Sequence, residues 1–231
     1  MNSRDRYLAK ASKMYHNQFR YGGKTSAGHL VTNAGKKYLN EHGIGEWRIV
    51  RKYGLGVVIE PMQGDESFTG MLVFPYLTPH GVRSMKFRRL DDRKPKNMQH
   101  TGQTGRLYNS NAYFDAGNVI GIAEGEADAI AATECLGIPT VGVPGVELWV
   151  SHRKIWAPVF KDFPKVLVFT DGDPVNPQTK LRPGEEMGKA IAESLGWRAR
   201  IVKCPEGQDV SSMVATGRME ELIKQFGDDD E

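Results

Sequence analysis

The chain has 231 residues, 39% of them hydrophobic, a formal net charge of +3 and only two cysteines, Cys135 and Cys204. That length suits one large domain or two small ones. It contains no run of eighteen apolar residues for a membrane span, no apolar stretch of signal type in MNSRDRYLAK and no CxxC for a cysteine-rich zinc module, so a cytoplasmic chain without disulfides is expected. Charge is uneven: residues 1–118 hold 19 Lys+Arg against 9 Asp+Glu, a net of +10, and residues 119–231 hold 12 against 19, a net of −7, a split suited to a polyanion held by one half and cations by the other.

Residues 4–19 place Tyr7, Leu8, Ala11, Met14, Tyr15 and Phe19 at helical spacing, with one face to bury. Tyr21-Gly-Gly-Lys-Thr-Ser is a loop, and its Lys24-Thr25 pair lacks the GxxxxGK[ST] frame of a P-loop. A short helix is expected over Asn33–Gly43, capped by Asn33 and ended by Gly43. A second is expected over Gly45–Tyr53, with Trp47, Val50 and Tyr53 turned inward. Val57–Glu60 and Gly70–Tyr76 read as strands, Pro79-His80-Gly81 as a turn and Val82–Leu90 as the return strand. Residues 90–109, LDDRKPKNMQHTGQTGRLYN, form a polar connection too long to be idle in a compact domain. Arg88, Arg93, Lys94, Lys96 and Arg106, in or beside it, are candidates for binding triphosphate or template backbone, contacts that position without reading sequence.

From Val119 the pattern alternates strand and helix. Strands are expected at Val119–Ala123, Pro139–Val143, Lys165–Thr170 and Arg198–Lys203. Helices are expected at Asp128–Leu136, Val146–Trp156 and Pro183–Leu195, the last with proline in its first turn and Gly196 beyond its end. That order implies a parallel sheet with right-handed crossovers. Short helices follow at Val210–Ala215 and Met219–Phe226, and the tail GDDDE is expected to fray. The loop 174–184, with Lys180 and Arg182, reads as a spacer.

Acids stand where ligands bind in such sheets, beyond the carboxyl ends of the strands. Glu124 ends the first strand and precedes Gly125. Asp171-Gly-Asp173 ends the third, and Asp209 follows the fourth and a Pro-Glu-Gly turn. Glu126 and Asp128 in the first turn of a helix suit its dipole, which leaves Glu124 unexplained. Carboxylates converging from several strand ends suggest a hard-cation site, because Mg²⁺ takes oxygen ligands.

The set EGxxD, a strand ending in DGD, and PEGxD, in that order on an alternating α/β pattern, resembles a TOPRIM domain. Upstream, KKYLNEHGI…VRKYGLG, FTGMLVFPYLTPHGVRSMKFRRLDDRKPK and GRLYN resemble the RNA-polymerase domain of DnaG-type primases, so the likeness spans nearly the whole chain. A small stand-alone version looks like those encoded by bacteriophages.

The resemblance implies a TOPRIM fold, a parallel sheet flanked by helices, preceded by a basic α+β subdomain. The boundaries drawn are 1–118, 119–209 and a helical tail 210–231. It implies a DNA primase, a nucleotidyltransferase that makes short RNA primers on single-stranded DNA from NTPs with two Mg²⁺ or Mn²⁺ ions, about 3.5–4 Å apart in such sites. Glu124, Asp128, Asp171 and Asp173 would be catalytic; Glu124, Asp171, Asp173 and Asp209 would hold metal, with Glu124 open as ligand or general base. Arg88 matches the basic residue ending a GGR-like strand, Lys96 the lysine of the family's PKYLN, and Arg106 stands in for a lysine before GRxLY. The chain departs from the family where its second acid after PEGxD falls on Ser211 and where the asparagine of PKYLN is Gln99. The family's zinc module has no counterpart in this sequence, so a partner carrying one, or a replicative helicase, is expected, in the host cytoplasm if the chain is phage-encoded. The alternatives are a metal-dependent TOPRIM nuclease and a non-catalytic adaptor that binds single-stranded DNA. A topoisomerase would need more chain for its tyrosine-bearing gate.

Overall fold

The computed structural model describes residues 2–103, 105–178 and 180–227; the acidic tail beyond Gly227 lies outside them. The chain divides into two compact units, Met1–Thr104 and Gly105–Glu231. The second unit therefore begins before Val119, where the alternating strand-helix pattern and the drawn subdomain boundary start. Among the described residues, no helix is long and apolar enough to cross a membrane.

The first unit is a helix on an antiparallel sheet. Helix α1 (Ser3–Tyr21) starts where the Asn2 side chain accepts a hydrogen bond from the Asp5 amide (2.8 Å) and ends at Gly22, whose φ of 75° suits glycine. Its buried face, Leu8, Ala11, Tyr15 and Phe19, follows the spacing read from sequence. Against it lies a sheet in the order β1 (Gly56–Val57), β2 (Leu72–Thr78), β3 (Gly81–Arg88), β4 (Asn97–Gln99). A Cβ on Gly56 would meet the Tyr15 carbonyl carbon at 2.6 Å, so helix and strand approach closely only because residue 56 is glycine.

Three expectations need correction here. β1 is shorter than the strand drawn over Val57–Glu60, because the Gln18 amide stands in for a neighbouring strand. It accepts from the Ile59 N–H (2.7 Å) and donates to the Glu60 carbonyl (2.8 Å). Helix α2 (Val31–Glu41) begins before Asn33, which lies within it and caps nothing; Gly43, with φ 66°, does follow its end. Helix α3 (Trp47–Lys52) buries Ile49 and Val50, and Tyr53 just beyond it, but leaves Trp47 exposed, stacked on His16 at 5.3 Å between ring centroids.

The second unit is three-layered. Its parallel sheet has the order β6-β5-β7-β8, from β5 (Val119–Glu124), β6 (Thr140–Val143), β7 (Lys165–Thr170) and β8 (Ala199–Lys203). Helices α5 (Glu126–Cys135), α6 (Val146–Trp156) and α7 (Pro183–Leu195) make the crossovers; α8 (Val210–Ala215) packs on α5 and α9 (Met219–Ile223) follows it. The central strands are buried along nearly their whole length, as a sheet covered on both faces requires. Ile120, Ile122, Val166 and Val168 share one core with Trp149, Phe160, Met187 and Ile191. A short helix, α4 (Ala112–Asp115), precedes β5 and was not anticipated.

Asp65 is the buried polar centre of the first unit. Its carboxylate accepts hydrogen bonds from the Tyr15 hydroxyl (2.5 Å) and from His100 Nε2 (2.7 Å), and Gln103 Nε2 donates to the other ring nitrogen of His100 (3.0 Å). Burial alone would push the carboxyl up; hydrogen bonds from His100 and Tyr15 outweigh it and hold it below the ordinary carboxylate value. A carboxyl held low stabilises the fold above its unfolded value, and that contribution is lost as pH falls through the folded one. Asp65→Asn should therefore lower stability in urea by about 1–3 kcal/mol at pH 7 and flatten the loss between pH 5 and 3; equal acid slopes in the two proteins would contradict this.

Candidate metal and nucleotidyl-transfer site

The carboxyl ends of β5 and β7 are adjacent, since the two strands pair from Val119↔Lys165 to Ile122↔Val168. Each apolar run stops where an acid begins. Glu124 ends β5, and Gly125, at φ 92°, turns the chain into α5. One turn along that helix the Asp128 side chain points back into the protein and accepts from the Ser211 amide (2.9 Å).

Asp171-Gly172-Asp173 is locked to the loop after β8. The Cys204 amide donates to the Thr170 carbonyl, Gly172 donates to the Gln208 carbonyl (2.8 Å) and Gly207 donates to the Gly172 carbonyl (2.7 Å). A Cβ on Gly172 would fall 1.8 Å from the Pro205 carbonyl oxygen, so the residue between the two aspartates is glycine for space. On the other side α7 starts against β7, and a Cβ on Gly184 would stand 2.4 Å from the Asp171 carbonyl oxygen. The Gly184 amide donates to Asp173 Oδ2 (3.0 Å), and Arg182 donates to the Asp173 carbonyl (2.7 Å) and to Glu206 (2.9 Å).

Asp209 caps α8, accepting from the Ser212 amide (2.7 Å) in a capping box. The Ser211 hydroxyl also donates to Asp209 (2.9 Å), so Ser211 binds both Asp128, through its amide, and Asp209. The position where the resemblance asks for an acid is thus a fully buried bridge between two acids.

The electrostatics follow from this crowding. Burial first, and then the charges of Asp128, Glu124, Asp209 and Asp173, push Asp171 up to about 9. Burial and then Asp209 push Asp128 up to about 8, against the opposing bonds from Ser211, with Glu124 adding to the rise. The Cys204 thiol beside them is raised too, by burial and then by Asp171. Asp171 Oδ1 is buried and has no hydrogen-bond partner among the described residues. An orphaned carboxylate oxygen among like charges fits a divalent cation, whose charge reverses the repulsion and whose preferred donors are oxygens. As the side chains stand, no three His, Cys, Asp or Glu among the described residues form a ready-made cage.

The basic candidates are distributed otherwise. Arg88, Arg93 and Lys96 belong to the first unit and Arg106 to the second. Arg88 lies at the end of β3, its guanidinium 5.5 Å from the centre of the Tyr38 ring. Arg93 is held by Asp91 through Nε (3.0 Å) and a terminal nitrogen (2.7 Å). Lys96 donates to the Asp91 carbonyl (2.8 Å) and reaches Asp92 at 3.4 Å. The polar connection of residues 90–109 contains β4, paired on β3, in which Gln99 faces Lys86. Arg106 is exposed, two residues before Tyr108, whose backbone exchanges both hydrogen bonds with Gly142 of β6.

No protein-family model matches the chain. The Gene 57 protein of Mycobacterium phage D29 is 39% identical over 164 residues, which is 69% of this chain and 99% of that protein. A DNA primase domain from Pseudomonas aeruginosa superposes with a TM-score of 0.70 at 20% identity, over 96% of this chain and 78% of that one. A DnaG primase catalytic domain bound to single-stranded DNA gives 0.63 at 17% identity, over 97% of this chain and 82% of that one. These likenesses establish the fold, that of the DnaG primase catalytic core with its TOPRIM-type sheet.

Two outcomes test the site. Gly172→Ala should cost about 1–3 kcal/mol by overpacking, read as a lowered urea midpoint. A carboxyl raised in the fold destabilises it as pH climbs from the unfolded value of about 4 towards the folded one, so the metal-free chain should melt lower at pH 8 than at pH 5, and Asp171→Asn should reduce that difference. Identical pH dependence in wild type and Asp171→Asn would remove the buried-charge account.

Proposed function

Because the chain belongs to the family of the Gene 57 protein of Mycobacterium phage D29 and is built on the DnaG catalytic-core fold, we propose that it is a primase, a nucleotidyltransferase that makes short RNA primers on single-stranded DNA. The observation that carries this reading is the gathering of Glu124, Asp128, Asp171, Asp173 and Asp209, distant in sequence, at the carboxyl ends of parallel strands. Binding of single-stranded DNA by a solved domain of the same fold supports the choice of template.

In the proposed reaction the 3′-hydroxyl oxygen of the growing RNA attacks the α-phosphorus of the incoming NTP, and the bond to pyrophosphate breaks. Asp171 and Asp173 present oxygens from one rigid turn; Glu124, one strand over, supplies a further donor. Asp209 and Asp128 are oriented by Ser211 and by the cap of α8. These residues would hold two Mg²⁺ or Mn²⁺ ions, which, when bound, supply charge stabilisation at the phosphates and ease ionisation of the hydroxyl. Burial of Asp171 and Asp128 keeps water from screening the interactions made there. Arg88 and Arg106 are the proposed contacts to phosphate. Arg93 and Lys96 are engaged by Asp91 and Asp92 and would have to exchange those partners for a triphosphate or a template. A helicase or a partner carrying a zinc module is proposed as the source of template selection.

The test is synthesis of labelled RNA di- and trinucleotides on single-stranded DNA with NTPs and Mg²⁺ or Mn²⁺. The double variant Asp171→Ala/Asp173→Ala should lose synthesis by at least about a hundredfold while remaining folded. Degraded DNA in place of RNA product would point to the nuclease, and neither product to the adaptor. Full synthesis by the double variant would overturn the assignment.

A further inference from the structure

The second unit has a second charged feature at the opposite end of its sheet. A cavity of about 490 Å³ lies between the C-terminal ends of α6 and α7 and the turn that follows α6. Arg153, Lys154, Lys161 and Arg198 line it, with Glu193 as its acid. Lys161 comes just before β7 and Arg198 just before β8, so the cavity opens where these strands start. The carboxylates stand where they finish, about 20 Å away across the six residues of β7.

The charge is clustered. The half of the chain from residue 119 is net −7, yet four of its 12 Lys+Arg surround this one cavity. Three cations elsewhere in the unit are paired with acids, Arg182 with Glu206, Lys203 with Glu185 and Arg218 with Glu221. Among the described residues none of the four lining cations has an acid within 4 Å; Arg198 instead lies over the Trp197 ring, 4.5 Å from its centre. Favourable interaction with the C-terminal end of α6 accounts for Arg153 and Lys154. The end of α7 at Leu195 does the same for Arg198, three residues beyond it, which leaves Lys161 unexplained by either helix. Trp197 is 77% exposed, the largest such fraction among the exposed apolar residues described. An open indole beside an arginine, next to a groove of uncompensated cations, is the combination that holds single-stranded nucleic acid: cations for the phosphates, an aromatic face for a base.

We infer that this groove is a second nucleic-acid site, remote from the carboxylates, that takes the backbone of a single strand across Arg153, Lys154, Lys161 and Arg198 and stacks a base on Trp197. The site holds strand without acting on it, since no acid pair faces it, and it stands whether or not the carboxylate cluster transfers nucleotides.

The experiment is photocrosslinking of the intact chain to an iododeoxyuridine-substituted single strand, with the crosslinked peptide located by mass spectrometry. A crosslink on the peptide that contains Trp197 is expected. It should fall at least about fivefold in Trp197→Ala and in Lys161→Ala/Arg198→Ala, the loss of one stacked base or two phosphate contacts, with melting curves like wild type. The salt dependence of binding should also become shallower in the double alanine variant. Crosslinks confined to other peptides of the wild-type chain would overturn the inference without reference to any variant. So would binding of fluorescent poly-glutamate at this groove while the oligonucleotide leaves it untouched, which would assign the surface to an acidic protein partner.

Discussion

Like charges taken out of water repel most strongly where the dielectric is lowest, and the second unit places Glu124, Asp128, Asp171, Asp173 and Asp209 under that constraint. Much of its local architecture keeps them together. The Asp171–Asp173 turn is fixed between the loop after β8 and the start of α7, by backbone pairing on one side and a close glycine contact on the other. Ser211 binds Asp128 and Asp209 at once. The metal-free protein therefore carries unfavourable electrostatics in a closely packed region, compensated by the packing around it. A cation entering this region would find the Asp171–Asp173 backbone already pinned, so only side-chain rotation would remain to be ordered on binding.

The first unit answers a different problem. A four-stranded antiparallel sheet of modest size needs a cover, and α1 provides it. Between them Asp65 is a charge in a nearly dry interior, made tolerable by Tyr15 and His100. The basic segment after β3 is not a field of free cations. Asp91 and Asp92 engage Arg93 and Lys96, so much of its positive charge is internally neutralised in the absence of ligand. Such exposed pairs are weak and exchangeable, which leaves the cations available to a phosphate that competes for them.

The second unit was largely legible from sequence because its strands are near-continuous apolar runs that stop at acids, as in VIGIAE and KVLVFTDGD. Those endings located the carboxylates before any coordinates. What escaped had weak local signals. β4 is three residues of edge strand, with Met98 its single apolar residue, and α4 is one turn long. Asp65, between Gly64 and Glu66, reads as a surface turn; its role depends on Tyr15 and His100, far off in sequence. Asn33 is a good cap by type, yet α2 starts earlier, and Trp47 stacks on His16 at the surface instead of entering the core. The self-pairing of the basic loop had a readable signal, the Asp91-Asp92 pair directly before Arg93, that composition alone passes over.

The stretch between Asp173 and α7 has its own architecture. Asn176 and Leu181 are joined by an amide-to-carbonyl bond (2.8 Å), a second runs from Lys180 to Asn176 (2.8 Å), and Arg182 and Gly184 anchor the exit to Asp173. The protrusion is thus closed at its neck, and Pro177, Gln178 and Lys180 beyond it are exposed. Chain could be inserted at that tip without unpinning the aspartate beside it. A reporter or recruitment module grafted at Gln178 would hang beside the clustered carboxylates on a fixed stem.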